Sequence, residues 1–245
     1  MAKQKNIHIG TSGWHYKHWK GPFYREDENI GNFLKVYCQK FSTVEINNTF
    51  YNLPERKTLE QWKDITPDDF IFSIKASRYI THMKKLKDPK DPLKNFYKGI
   101  EPLKEKTGAV LFQLPPRWKI NPERLNGFLD QLSRDYRHTF EFRDETWFDE
   151  KTYKTLENHP AAFCIYDLKQ RTSPKKTTAD FVYIRLHGPG KNAYEGEYQE
   201  KGLYEWAQYI KEWSGNGKVV YCYFDNDQNG YAPKDALRLK EMVTN

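Results

Sequence analysis

The stretch Thr139–Trp147, TFEFRDETW, sets a carboxylate and a guanidinium two residues apart on an apolar background. Side chains alternate along a strand, so Phe140 and Phe142 face one way and Glu141 and Arg143 the other. Two charges on one side of a buried strand are costly unless they pair or serve a site. The same grammar recurs along the chain. An apolar run ends in polar residues, aromatic residues follow, and a helix begins. The run ends gather Thr11 and Ser12, Glu45 and Asn47, Lys75, Gln113, Asp167, Arg185 and His187, and Asp225 and Asn226. Lys75, Arg143 and Arg185 suit an anion, because an arginine fork grips a phosphate or carboxylate at two points. Glu45 and Glu141 are the expected general acid and base, since pairing and burial drive carboxyl pKa values apart. His187 is the expected proton shuttle near neutral pH. Asn47, Gln113, Asn226 and Trp14 are expected to complete the substrate contacts.

The elements that must position these groups are eight strands alternating with helices. Strands are expected at Ile7–Thr11, Thr43–Asn47, Phe70–Lys75, Ala109–Leu114, the start of Thr139–Trp147, Ala161–Asp167, Phe181–His187 and Lys218–Asp225. Apolar residues at helical spacing predict helices over Asn29–Cys38, Glu55–Asp64, Pro92–Lys104, Asn121–Ser133, Phe148–Asn158, Gly202–Trp213 and Ala232–Val243. Pro102 predicts that the third of these frays or stops early. Between strands six and seven, LKQRTSPKKTTAD is too short and too rich in Ser, Thr and Pro for a convincing helix. Alternating strands and helices imply parallel pairing with right-handed crossovers. Eight such units in 245 residues match the ~250 of one closed (β/α)8 barrel better than an open sheet. One α/β domain over residues 1–245, a TIM-type barrel with the strand 6 to strand 7 helix missing or rudimentary, is the simplest account. In such a barrel the functional face lies at the C-terminal strand ends, where this chain concentrates its charge.

Composition narrows the function classes. No apolar run reaches the roughly 18 residues of a membrane span. The start, MAKQKNIHIGTSGW, has a little basic charge and no apolar h-region, so no secretory signal is expected. Cys38, Cys164 and Cys222 show no Cys-x-x-Cys spacing, which favours reduced core thiols and a cytoplasmic location. Net charge is +7, concentrated at Lys84, Lys85, Lys87, Lys90, Lys94 and Lys98, and again at Lys169, Arg171, Lys175 and Lys176. Solvated basic faces account for such runs; a phosphate-tracking surface is the alternative. Trp14, Tyr16, Trp19, Phe50, Tyr51, Trp118, Trp147 and Tyr231 follow strand ends. They either stack on a base or sugar ring or pack a lid over the strands.

Two further readings weigh against a simple site. Glu141, Arg143, Glu45 and Arg185 could form a structural ion network that does no chemistry. Glu45, Glu141, Asp167 and His187 offer ligands for a divalent metal, but the interleaved Lys and Arg already neutralise those carboxylates, so a metal is not favoured. His15-x-x-His18 is too short a signal to count. No dinucleotide fingerprint, Walker motif or nucleophile elbow appears.

Six motifs occur in order: GTSGWHYKHWKGPFY, TVEINNTFYNLP, FSIKASRYITH, LFQLPP, FEFRDETWF and YIRLHG. Over nearly its full length the chain resembles the YecE-like family (domain of unknown function 72). The resemblance implies a TIM-barrel-like fold and a pocket, and assigns no reaction. The motifs contain the residues already singled out, from Glu45 and Asn47 through Lys75, Gln113, Glu141 and Arg143 to Arg185 and His187. Arg25, Asp144 and Asp225 depart from the family's usual proline, histidine and asparagine, and Asp225 adds a negative charge at a strand end. The leading expectation is an enzyme, a lyase, isomerase or hydrolase, binding a small anionic substrate with carboxylate acid–base chemistry. A nucleic-acid binding or processing protein is the alternative, and a non-catalytic ligand sensor a second one.

Overall fold

The structure is a computed structural model that describes residues 6–244. Residues 1–5, the basic start of the chain, lie outside it. The strands are β1 (Ile7–Thr11), β2 (Thr43–Ile46), β3 (Ile71–Lys75), β4 (Thr107–Gln113), β5 (His138–Glu141), β6 (Ala162–Leu168), β7 (Arg171–Thr172), β8 (Phe181–Leu186) and β9 (Val219–Phe224). The helices are α1 (Phe33–Tyr37), α2 (Arg56–Ile65), α3 (Lys90–Ile100), α4 (Pro122–Leu129), α5 (Glu150–Asn158), α6 (Glu200–Gly215) and α7 (Tyr231–Thr244). The sheet runs β1-β9-β8-β6-β5-β4-β3-β2, with β7 hanging from β6. A parallel bridge between Ser12 and Glu45 joins the two ends of that order. The fold is therefore α/β, a nearly closed parallel barrel of eight strands, as the alternation of strands and helices predicts.

The departures are local and have physical causes. The helix expected over Asn29–Cys38 opens as a 3₁₀ turn, Ile30–Asn32, where Gly31 and Asn32 are poor helix formers. Asn29 caps that turn by accepting from the Gly31 N–H. Helix α3 stops at Ile100, and a 3₁₀ stretch, Glu101–Lys106, carries Pro102 in its first turn, where the missing N–H is harmless. Helix α4 is shorter than expected and ends at Leu129. Between β6 and β8 there is no helix. Lys169 and Gln170, both at positive φ, turn the chain back so that Asp167 pairs with Thr172. Two successive positive φ values match the twist of a tight hairpin.

Contacts divide the chain into two compact units, one of Met1–Glu45, Ile165–Lys175 and Asp180–Asn245, the other of Ile46–Cys164 and Lys176–Ala179. In the first, β1, β9 and β8 pair in parallel, with Thr11 opposite Phe224 and Leu186 opposite Phe224 on its other side. Trp206, Ala207 and Ile210 of α6 and Ala236 and Leu239 of α7 are buried. In the second, β3, β4 and β5 pair in parallel, with Lys75 opposite Leu111 and Gln113 opposite Glu141. Phe140 and Phe142 join an aromatic layer with Phe112, Phe128, Trp147 and Phe163. That layer takes one face of β5 and leaves Glu141 and Arg143 to the other, as the alternation predicts.

Gly10 lets β1 and β2 approach. A Cβ there would lie 2.3 Å from the Thr43 carbonyl oxygen. Gly10→Ala is expected to cost about 1–3 kcal/mol by overpacking, read as a lower urea midpoint at unchanged slope. An unchanged midpoint would show that the two strands part freely.

Candidate functional site

In the first unit the polar groups at the ends of β1, β2, β8 and β9 form one network around Arg185. Tyr183, Arg185 and His187 are two apart and share a face of β8. The Arg185 Nε donates to both oxygens of Glu45, at 3.1 and 3.0 Å. Its Nη2 donates to Glu45 at 2.7 Å, to the Ser12 hydroxyl at 3.1 Å and to Asp225 at 3.0 Å. Ser12 and Tyr183 both donate to Glu45, the phenol at 2.7 Å. His187 Nε2 lies 3.3 Å from the Arg185 Nη1, and Nδ1 lies 3.0 Å from Asp225. An arginine N–H can only donate, so Nε2 accepts and the ring proton sits on Nδ1, toward Asp225. Glu45 and His187 are 0% exposed, Arg185 1% and Asp225 13%, so the network meets solvent at Asp225. The surrounding field is negative. Burial first, then the charges of Asp225, Asp227 and Glu45, push the Tyr16 phenol well above its ordinary pKa. Tyr16 in turn donates to the Ser12 carbonyl at 2.8 Å.

In the second unit, Lys75, Gln113 and Glu141 stand at the ends of three adjacent strands. Glu141 is fully buried and ion-paired with Arg143, and it accepts from the Cys164 thiol at 3.8 Å. The Lys75 ammonium lies 4.5 Å from the centre of the Phe50 ring, and the Arg78 guanidinium 5.9 Å from that of Tyr51. Phe50 also meets His82 edge-on at 5.0 Å. His82 sits on a π-helical turn, Tyr79–Met83. Its pKa is held below the ordinary imidazole value by burial and then by the charges of Lys75, Arg78 and Arg143. The field here is positive, opposite in sign to that around Tyr16.

The remaining expected residues are placed as follows. Asn226 is buried, and its amide nitrogen donates to Gly196 and Asp235 at 2.9 and 2.8 Å. Trp14 is buried, and its carbonyl accepts from Tyr24 at 2.6 Å. Asn47 is half-buried at the start of a 3₁₀ turn, Asn48–Phe50. Of the eight aromatic residues that follow strand ends, Trp14, Trp19, Phe50 and Trp147 are buried and only Tyr51 is exposed. Among the described residues, no three His, Cys, Asp or Glu side chains are gathered to hold a metal ion. Nor is any helix long and apolar enough to cross a membrane. Cys38, Cys164 and Cys222 are free thiols, the last two buried.

Sequence reasoning did not single out Tyr183, Arg78, His82 or Cys164 as site residues. Tyr183 was legible from its spacing, two residues before Arg185. The other three have no local signature, because a turn and a neighbouring strand bring them in.

The chain as a whole matches known proteins. The profile of the family described as "Protein of unknown function DUF72" matches residues 8–245. The chain belongs to this family. A crystal structure of a DUF72 family protein from Thermotoga maritima MSB8 superposes with a TM-score of 0.87 at 33% identity, covering 98% of this chain and 99% of that one. UPF0759 protein YunF of Bacillus subtilis (strain 168) is 24% identical over 270 residues, 97% of this chain and 94% of YunF. UPF0759 protein YecE of Escherichia coli (strain K12) is 30% identical over 146 residues, which is 58% of this chain and 50% of YecE. The family match spans residues 8–245, and so includes both clusters of buried charge in this chain.

Proposed function

We propose that this DUF72 protein is an enzyme that binds a small phosphorylated or carboxylate substrate at the C-terminal ends of β3, β4 and β5. One observation carries the reading. Lys75, Arg78 and Arg143, the last ion-paired with Glu141, all lower the His82 pKa. A half-buried imidazole in a positive field stays neutral and able to accept a proton, and the same field attracts an anion. Arg143 carries a planar fork that Glu141 already pairs with, and Lys75 a point charge; together they are the usual pair for a phosphate or carboxylate. Glu141, buried at the end of β5, is the proton-transfer group, and Gln113 lies beside it in register. In the other unit Glu45 and His187 are the corresponding acid–base candidates. Arg185 fixes their geometry and spends its donors on Glu45, Ser12 and Asp225. Proton transfer of this kind serves lyase, isomerase and hydrolase chemistry alike.

A thermal-shift screen of phosphorylated metabolites, carboxylates and short oligonucleotides tests the proposal. A ligand at 100 times its Kd adds about 2.7 kcal/mol, or roughly 5–10 °C in Tm for a chain of this size. The expected result is a shift with a small anion that Arg143→Ala abolishes and Glu141→Gln preserves. Shifts confined to oligonucleotides and erased by salt would replace this reading with nucleic-acid binding. Shifts that survive Arg143→Ala would place the ligand elsewhere.

A further inference from the structure

We propose that a second site, distinct from the anion site, binds a small organic cation in the gap left by the missing helix between β6 and β8. Every other connection between successive barrel strands carries an α-helix; this one carries only β7 and an irregular run. A cleft of about 230 Å³ opens there, lined by Asp167, Lys175, Tyr198, Glu205, Trp206 and Tyr209 among others, all within the first unit. Trp206 and Tyr209 are three residues apart and share a face of α6. Gly202, one turn before Trp206, keeps that face open.

The cleft already holds a cation. The Lys175 ammonium lies 5.3 Å from the centre of the Trp206 ring and 4.7 Å from that of Tyr209. Both distances fall within the ~6 Å reach of a cation–π contact. Among the described residues Lys175 makes no ion pair or hydrogen bond, so the two rings hold it. A lysine ammonium is strongly hydrated and sits on a flexible stem, so it is a weak occupant of an aromatic site. A methylated ammonium gives up its water at lower cost, and ring cages recognise such groups.

Two carboxylates of the cleft lining complement this charge. Tyr198 donates to Asp167 at 3.0 Å and itself accepts from the Gly188 N–H at 3.1 Å. Burial raises the Asp167 pKa, against the lowering effects of the Tyr198 bond and of the His187 and Lys175 charges. A cation in the cleft would relieve that cost by pairing with the carboxylate. Glu205 adds a second carboxylate at the rim. The volume is below the ~300 Å³ at which drug-sized ligands are usually held, which suits a compact ligand such as a free alkylammonium.

The test uses the full chain, with choline as probe and 3,3-dimethyl-1-butanol, its uncharged isostere, as control. Titration calorimetry is run on the wild type, Lys175→Ala and Lys175→Ala/Tyr209→Ala. Removing the resident ammonium is expected to tighten choline binding by about tenfold. The isostere should not bind, and Tyr209→Ala in the same background should remove the gain. Tyr209 is 37% exposed, so its truncation leaves the core in place, which circular dichroism would verify. No choline binding by Lys175→Ala would overturn the proposal. So would equal binding of the isostere, equal binding by wild type and variant, or binding that survives the loss of Tyr209.

Discussion

Replacing Arg185 with alanine is expected to cost about 3–5 kcal/mol, the scale on which losing one partner leaves a buried charge uncompensated. For a chain of this size that is a fall in Tm of roughly 6–20 °C. Glu45 and Arg185 are 0% and 1% exposed, so water cannot replace what the guanidinium supplied. The variant would keep the Ser12 and Tyr183 bonds to Glu45 but lose the cation that faces both Glu45 and Asp225. Arg185→Lys should recover only part of the loss, because a point charge cannot span the positions that the planar fork reaches. Glu45→Gln combined with Arg185→Ala should cost less than the sum of the two single changes, since the paired charges are removed together. Urea and thermal unfolding of the four variants measure all of this. An Arg185→Ala protein within about 1 kcal/mol of wild type would mean that the network relaxes into solvent and contributes little.

Much of this arrangement is legible in the sequence alone. Period-two alternation placed Arg185 with His187, and Glu141 with Arg143, on common faces, and Pro102 marked the end of α3. The weak helical character of LKQRTSPKKTTAD predicts the missing crossover helix. What the sequence could not express is pairing at a distance. Glu45 and Arg185 are 140 residues apart, and nothing local says that the arginine spends its donors on protein carboxylates. Asn226 reads as a polar residue at a strand end, yet its amide ties Asp235 and Gly196 together. The aromatic rim is ambiguous for a similar reason. A tryptophan in a loop looks the same whether it stacks on a ligand or, as with Trp147, stacks on Phe142 and donates to the Trp118 carbonyl at 2.6 Å. His82 was hardest to foresee, because a π-helical turn has no composition of its own and a histidine next to basic residues reads as one more surface charge.

The histidine at the other end of β5 makes the second large prediction. His138 is buried at the start of the strand, with Nε2 2.9 Å from the Tyr97 hydroxyl and the Phe112 ring alongside. Burial alone pushes its pKa down, from 6.5 to about 4. Below pH 6.5 the unfolded chain takes up a proton on this ring that the fold refuses. The unfolded state then binds more protons, so stability falls as pH falls. The loss begins near pH 6.5 and levels off near pH 4. The drop from 6.5 to about 4, at ~1.36 kcal/mol for each pH unit, makes it about 3 kcal/mol. His138→Asn has nothing to titrate. The stability difference between wild type and His138→Asn should therefore move by about 3 kcal/mol against the wild type between pH 7 and pH 4. Taking that difference cancels the contributions of His82 and of the carboxylates common to both proteins. Urea unfolding at pH 7, 5.5 and 4 reads it directly. A difference that stays constant across the three would mean that the ring is protonated inside the fold at its ordinary pKa. Water would then have to reach the start of β5, which the 6% exposure of His138 argues against.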